Sequence, residues 1–158
     1  MTEATAKRAS PDVFGFYHQP TFSVCYIVAD PATKQAAIID PVLDYDEKAG
    51  QVATDFADML LAELGKRGLT VTWILDTHPH ADHFSAAAYL KDKLGAPTAI
   101  GEHVTRVQKL WKGFHNLPDC PRDRSQSDRP FAHRDPRNAC TRPVRVLFTL
   151  APPPTPTH

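Results

Sequence analysis

Val71-Thr72-Trp73-Ile74-Leu75-Asp76-Thr77-His78-Pro79-His80-Ala81-Asp82-His83 is the stretch whose reading decides the rest. Its first five residues are apolar or β-branched and do not alternate with polar ones, which predicts a short strand covered on both faces. Three imidazoles and a carboxylate then follow within six residues, at 78, 80, 82 and 83. Imidazole nitrogen and carboxylate oxygen are the usual donors for zinc and non-haem iron. In a loop just past a strand end, His78 and His80 can converge on one cation at about 2.0–2.1 Å, and Pro79 stiffens the turn between them. Asp82 and His83 are the next metal-ligand candidates, suited to a second ion. Alternatively, Asp82 is the catalytic candidate, placed to orient or deprotonate a bound water.

Working outward, Phe22 to Ala29 reads as a strand rich in aromatic and β-branched residues. Asp30-Pro31-Ala32-Thr33-Lys34 is turn chemistry. Gln35 to Asp40 reads as the antiparallel partner, with pairing expected to stop at Pro41. Thr54 to Leu64 has Phe56, Met59, Leu60 and Leu64 at helical spacing. Thr54 or Asp55 is its expected cap, and Gly65 or Gly68 its stop. A second helix is expected over Ser85 to Leu94, a brief strand over Pro97 to Ile100, and a third helix over Glu102 to Trp111.

The character changes near Pro118. All seven glycines precede residue 119, whereas the last forty residues hold eight of the fifteen prolines and seven arginines. Within them Val144 to Phe148 is the expected strand. Residues 1–11 and 119–158 are therefore expected to be poorly ordered around a body spanning 12–118. A chain of 158 residues suffices for one domain that buries roughly two thirds of its surface. Its formal net charge is zero, and the tail arginines alternate with Asp119, Asp123, Asp128 and Asp135. No nucleic-acid partner is expected on that basis. No stretch approaches the ~18 apolar residues of a membrane span, and a cytoplasmic location is the expectation. The three cysteines, Cys25, Cys120 and Cys140, show no C-x-x-C spacing. Cys25 lies within an apolar strand and reads as a buried structural thiol. His18, His103 and His115 read as surface or packing residues.

The ordered string His78-x-His80-x-Asp82-His83 after a buried strand resembles the metallo-β-lactamase superfamily. Ala37-Ile38-Ile39-Asp40-Pro41-Val42-Leu43-Asp44, Ile74-Leu75-Asp76-Thr77-His78, Ala81-Asp82-His83-Phe84-Ser85-Ala86-Ala87 and Val107-Gln108 are similar to its sulfur (persulfide) dioxygenase branch, which lies close to the glyoxalase II hydrolases. The resemblance implies an α/β fold: the αββα sandwich, here largely its N-terminal ββα half. It also implies one Fe(2+) per chain held through His78 and His80, with Zn(2+) the alternative and Asp82 and His83 matching the second-metal positions. The implied activity is oxidation of glutathione persulfide to sulfite, and the alternative is thioester hydrolysis of the glyoxalase II kind. Asp40 matches a strand-end aspartate that supports the histidine loop. A third metal histidine is expected in a Gly-His-Thr segment after Val144 to Phe148, but Leu150-Ala151-Pro152-Pro153-Pro154 stands there instead. His133 and His158 are remote substitutes. The departure raises a further class, a non-catalytic fragment from a disrupted frame that binds metal weakly. An incomplete sandwich would leave one apolar sheet face exposed, with a homodimer as one possible outcome.

Overall fold

The structure is a computed structural model, and it describes residues 10–80, 83–102, 104, 128–131, 136–139 and 142–145. Its body is a six-stranded mixed sheet. Strands β1 (Asp12–His18), β2 (Ser23–Ala29) and β3 (Gln35–Ile39) run antiparallel in sequence order. Between β2 and β3 the turn closes as expected, with Asp30 Oδ1 accepting the Ala32 amide at 3.0 Å. Beyond β3, the chain forms β4 (Val42–Asp46), β5 (Gln51–Ala53) and helix α1 (Asp55–Arg67) before returning as β6 (Thr70–Asp76), parallel to β3. After the histidine loop come β7 (Phe84–Ser85), helix α2 (Ala87–Leu94) and β8 (Thr98–Gly101), parallel to β6.

Alternation on the strands sorts the two faces. Phe14 and Phe16 pair with Ile27 and Cys25, and Ile27 pairs in turn with Ile38. This face packs with Ala57, Leu60 and Leu64 of α1 and Leu90 of α2 to form the core. The opposite face carries Val13, Tyr17, Val24 and Tyr26, which are 57%, 56%, 38% and 41% exposed. This face is open to solvent at its β1–β2 end, whereas Ala37 of β3 and Ala99 of β8, on the same face, are buried.

Several elements differ from the sequence reading. The strand at 70–76 is fully buried at Ile74, exposed at Thr70 and half-covered elsewhere. Pro41 does end the β3 ladder, but pairing resumes at once. Val42 and Leu43 pair with Ser85 and Phe84, and Asp44 to Asp46 with Gln51 to Ala53, in a second, three-stranded sheet. Ser85 therefore belongs to a strand and starts α2 from outside, accepting the Ala87 amide on its hydroxyl at 3.1 Å. Thr54 occupies the N-cap position of α1, as expected, but its side chain makes no cap hydrogen bond. Thr54 instead donates to Asp58 at 2.8 Å, and the Phe56 amide is capped from β4 by Asp44 Oδ2 at 2.8 Å. Gly68, at φ +63°, ends the helix; Gly65 lies inside it.

In the segment given only one expected strand, the described residues form three: β9 (Arg129–Phe131), β10 (Pro136–Ala139) and β11 (Arg142–Arg145). β9 extends the main sheet parallel to β8. It is anchored by Asp128, which accepts from the Thr98 amide at 2.8 Å, the Thr98 hydroxyl at 3.0 Å and Lys91 Nζ at 2.6 Å. β10 and β11 form a separate antiparallel pair, so the expected strand starting at Val144 begins two residues earlier. Residues 1–9 and nearly all of the expected helix over Glu102 to Trp111 lie outside the described residues.

Leu60 is fully buried between helix and sheet. Leu60→Ala should lower the unfolding free energy by about 2–5 kcal/mol, while Val52→Ala, on an exposed strand, should change it by less than about 0.5 kcal/mol. Urea titrations of both variants check the placement of the core.

Candidate metal centre

The histidine loop is positioned by parallel pairing. Ile39 at the end of β3 lies opposite Leu75 near the end of β6. The next residue of each strand, Asp40 and Asp76, therefore opens onto the same edge, the carboxyl ends of parallel strands where ligand sites in α/β sheets gather. Asp40 turns there in the left-handed region, at φ +52°, and its amide donates to Leu75 O at 2.8 Å. This conformation costs an aspartate of order 1–3 kcal/mol. It is held by what the carboxylate gains: Oδ1 accepts the Thr77 amide at 2.7 Å, Oδ2 accepts the Thr77 hydroxyl at 2.7 Å, and His80 Nε2 lies 3.1 Å from Oδ1.

Around this carboxylate the imidazoles assemble. Thr77 Oγ1 is also 2.8 Å from His78 Nδ1. The rings of His78 and His80 lie 4.4 Å apart between centroids, and those of His80 and His83 4.1 Å apart. One donor atom each from Asp40, His78 and His80 falls within 4.8 Å of the others. Asp76 reaches His80 Nε2 at 3.7 Å and accepts the Ser85 hydroxyl at 3.0 Å, tying the loop to the start of α2. His78 is exposed and His80 half-buried, so one imidazole faces the approach side and the other the supporting carboxylates.

Burial alone would lower the pKa of His80. Its hydrogen bonds to Asp40 and Asp76, with their negative charge, outweigh burial and carry it up to about 9. Asp40 is the counterpart: burial pushes its carboxyl up, but hydrogen bonds from His80 and Thr77 hold it below the ordinary carboxylate range. The Cys25 thiol, fully buried in β2, is pushed up to about 12 by burial and then by the charges of Asp40 and Asp76. It is a packing residue, as its strand context suggests.

His78, His80 and His83 are thus brought to one place. Asp82 lies outside the described residues, as do His103, His115, His133 and His158, Cys120 and Cys140, and the segment expected to hold a third histidine. Sequence reasoning named Asp40 but missed Asp76, Thr77 and Ser85 as supports. Asp76 and Thr77 sit inside the motif itself, and the parallel register that brings Asp40 to them has no local sequence signal.

A profile of the metallo-beta-lactamase superfamily matches residues 18–158. The chain belongs to that superfamily. A "beta-lactamase hydrolase-like protein" of Xylella fastidiosa is 56% identical over 140 residues, 89% of this chain and 32% of that protein. "Glyoxylase B2" of Dictyostelium discoideum is 42% identical over 125 residues, 78% of this chain and 43% of its own. The mitochondrial "persulfide dioxygenase ETHE1" of Bos taurus is 29% identical over 86 residues, 54% of this chain and 30% of its own. Among solved structures, a metallo-beta-lactamase from Staphylococcus aureus superposes over 88% of this chain and 34% of its own with a TM-score of 0.61 at 20% identity, a likeness of fold. This chain spans about a third of the length of the Xylella relative.

Membership implies a divalent metal, and the residues present fit one. Two imidazoles converge from a short loop, and one of them is oriented by a carboxylate through its second nitrogen, the usual support of a metal-bound histidine. With His80 Nε2 held by Asp40, Nδ1 is the nitrogen that would be left to a metal.

The raised His80 pKa also sets a pH dependence. Its folded value of about 9 lies above the ordinary 6.5, so the pairing with Asp40 stabilises the metal-free fold fully below pH 6.5. That contribution is lost as pH rises through about 9. The urea midpoint of metal-free protein should therefore fall across this window, and His80→Gln should flatten the fall. The same slope in both proteins would remove the pairing.

Proposed function

We propose that the chain carries the metal-binding part of a sulfur-dioxygenase-like enzyme, in which His78 and His80 hold one ferrous ion and the substrate is a glutathione-type persulfide. The observation that carries this reading is the Asp40–Thr77–His80 arrangement beside His78. Two imidazoles backed by a carboxylate suit non-haem iron that works with O2. Similarity to the persulfide dioxygenase of Bos taurus supports the same assignment.

A cation held by His78 and His80 would supply Lewis acidity and, if iron, redox chemistry with O2. The chain's own residues do the rest. Asp40 fixes the His80 ring, Thr77 holds both the Asp40 carboxylate and the His78 ring, and Asp76 joins the loop to α2 through Ser85. Phe84 and Tyr45, both exposed, pack edge to face at 5.1 Å immediately after the loop. They offer an apolar wall to the organic part of a thiol. In the overall change the terminal sulfur of the persulfide is oxidised to sulfite by O2 and water, and the glutathione thiol is released.

A second reading is a two-metal thioester hydrolase, with Asp82 and His83 at the second cation. Similarity to Glyoxylase B2 and the position of the His83 ring against His80 favour it.

Anaerobic reconstitution with iron, followed by an oxygen-electrode assay on glutathione persulfide, separates the readings. The proposal expects O2 uptake matched by sulfite and abolished in the His78→Ala, His80→Ala double variant. Zinc-dependent release of glutathione from a lactoyl thioester, without O2 uptake, would favour the hydrolase. Sub-stoichiometric metal with neither activity would leave a non-catalytic fragment.

Asp40→Asn should weaken metal binding by about 10–100-fold, the usual cost of losing a carboxylate that orients a metal-bound histidine. Competition against a chromophoric chelator measures this, and unchanged affinity would remove Asp40 from the site.

A further inference from the structure

The main sheet has two edges, and they are built differently. One is β9, a strand of three residues, Arg129-Pro130-Phe131, with a proline at its centre. A short edge strand carrying proline and a basic residue is a form in which natural sheets keep other strands away. The other edge is β1. It runs for seven residues, Asp12-Val13-Phe14-Gly15-Phe16-Tyr17-His18, and pairs with β2 through all seven without a bulge. It contains no lysine, arginine or proline. Along an antiparallel strand, alternate residues turn their main-chain N–H and C=O groups to opposite sides. One set on β1 is taken by β2, and the other points to the open side, where no strand of the described residues pairs with it.

The side chains of β1 suit a further strand. Val13 and Tyr17 stand on the outer face, 57% and 56% exposed. Phe14 and Phe16, on the core face, are only partly buried. The Tyr26 ring sits against Gly15, with Cε1 3.3 Å from where a Cβ would be, so the one glycine of the strand leaves no gap. What an unpaired strand edge recognises is another strand.

For this edge the complement is β1 itself. Antiparallel pairing of two copies about Gly15 sets Val13 opposite Tyr17, Phe14 opposite Phe16 and Gly15 opposite Gly15. Aromatic and β-branched cross-strand pairs of this kind stabilise sheets, whereas like charges placed opposite each other destabilise them. Asp12, the only carboxylate of the strand, falls opposite His18 and not opposite a second Asp12. The register uses every residue of β1 and is two-fold symmetric, the commonest closed arrangement of identical chains. It also limits itself. The joined sheet has β9 at both margins, each with Pro130, so two copies close and a fibre does not grow.

We propose that β1 is a homodimer interface, through which a second copy of this chain pairs antiparallel about Gly15 to give one twelve-stranded sheet. The pairing draws the two exposed apolar side chains of the strand, Val13 and Tyr17, into contact across the two-fold axis. It goes beyond the metal chemistry proposed above and does not rest on it.

Sedimentation velocity of the full chain over a range of concentrations should show a monomer–dimer equilibrium. Val13→Lys together with Tyr17→Lys places like charges opposite each other twice in this register and should weaken the dimer about tenfold or more. Val13→Lys together with Tyr17→Glu places opposite charges there and should restore it. Both positions are exposed, and an unchanged urea midpoint checks that each variant folds. Amide exchange on the unmodified chain gives a readout that needs no variant. Alternate amides of β1 should gain protection as concentration rises, and those of β9 should not. A monomer at every concentration, or oligomers that grow beyond two, would overturn the proposal. So would a dimer indifferent to the lysine pair, a lysine–glutamate pair that fails to recover it, or protection gained at β9 instead.

Discussion

The carboxylate of Asp40 is the constraint on which the histidine loop depends. It closes three short contacts at the point where two parallel strands end, and it does so from a left-handed backbone that an aspartate adopts at a cost. Charge-assisted hydrogen bonds contribute about 1.5–3 kcal/mol each when shielded. Even reduced for partial exposure, three of them offset a strain of order 1–3 kcal/mol. That grip, with the longer contact from Asp76, keeps His80 turned inwards while His78 faces out.

Around this point the fold concentrates polar groups at one sheet edge and apolar groups elsewhere. Parallel pairing of β3, β6 and β8 aligns their carboxyl ends, and α1 and α2 cover the core face. Asp44 caps α1 from a strand and at the same time meets His18, so the helix start and the end of β1 share one residue. Fold and site are built from the same few side chains, which is why Asp40, Asp76 and Asp44 are only partly exposed in so small a chain.

The parts legible in the sequence are those set by short-range pattern. Apolar runs marked β2, β3 and β6. The three- and four-residue spacing of Phe56, Leu60 and Leu64 marked α1, and Gly68 and Gly95 marked helix ends. The dense imidazole string marked the site. β4 and β7 were not legible, because each is stabilised by the other across a long stretch of intervening chain, and neither is long or apolar enough to declare itself. β9 was hidden for a similar reason. Arg129-Pro130-Phe131 has no strand pattern, and its place depends on Asp128 reaching Thr98 and Lys91. The α1 start was placed correctly at Thr54, but the side chain that caps it was not legible, because the Asp44 carboxylate reaches across from β4. His18 read as a packing residue is half of the answer: it is buried, but within a path of hydroxyls and carboxylate that only tertiary structure assembles.

The central claim is that His78 and His80 together grip a cation where β6 ends. X-ray absorption fine structure on the iron- or cobalt-loaded chain counts imidazole ligands directly. The account predicts at least two imidazole rings bound to the metal, lost together in the His78→Ala, His80→Ala variant. A spectrum with no imidazole scattering, or one unchanged by that double substitution, would contradict it.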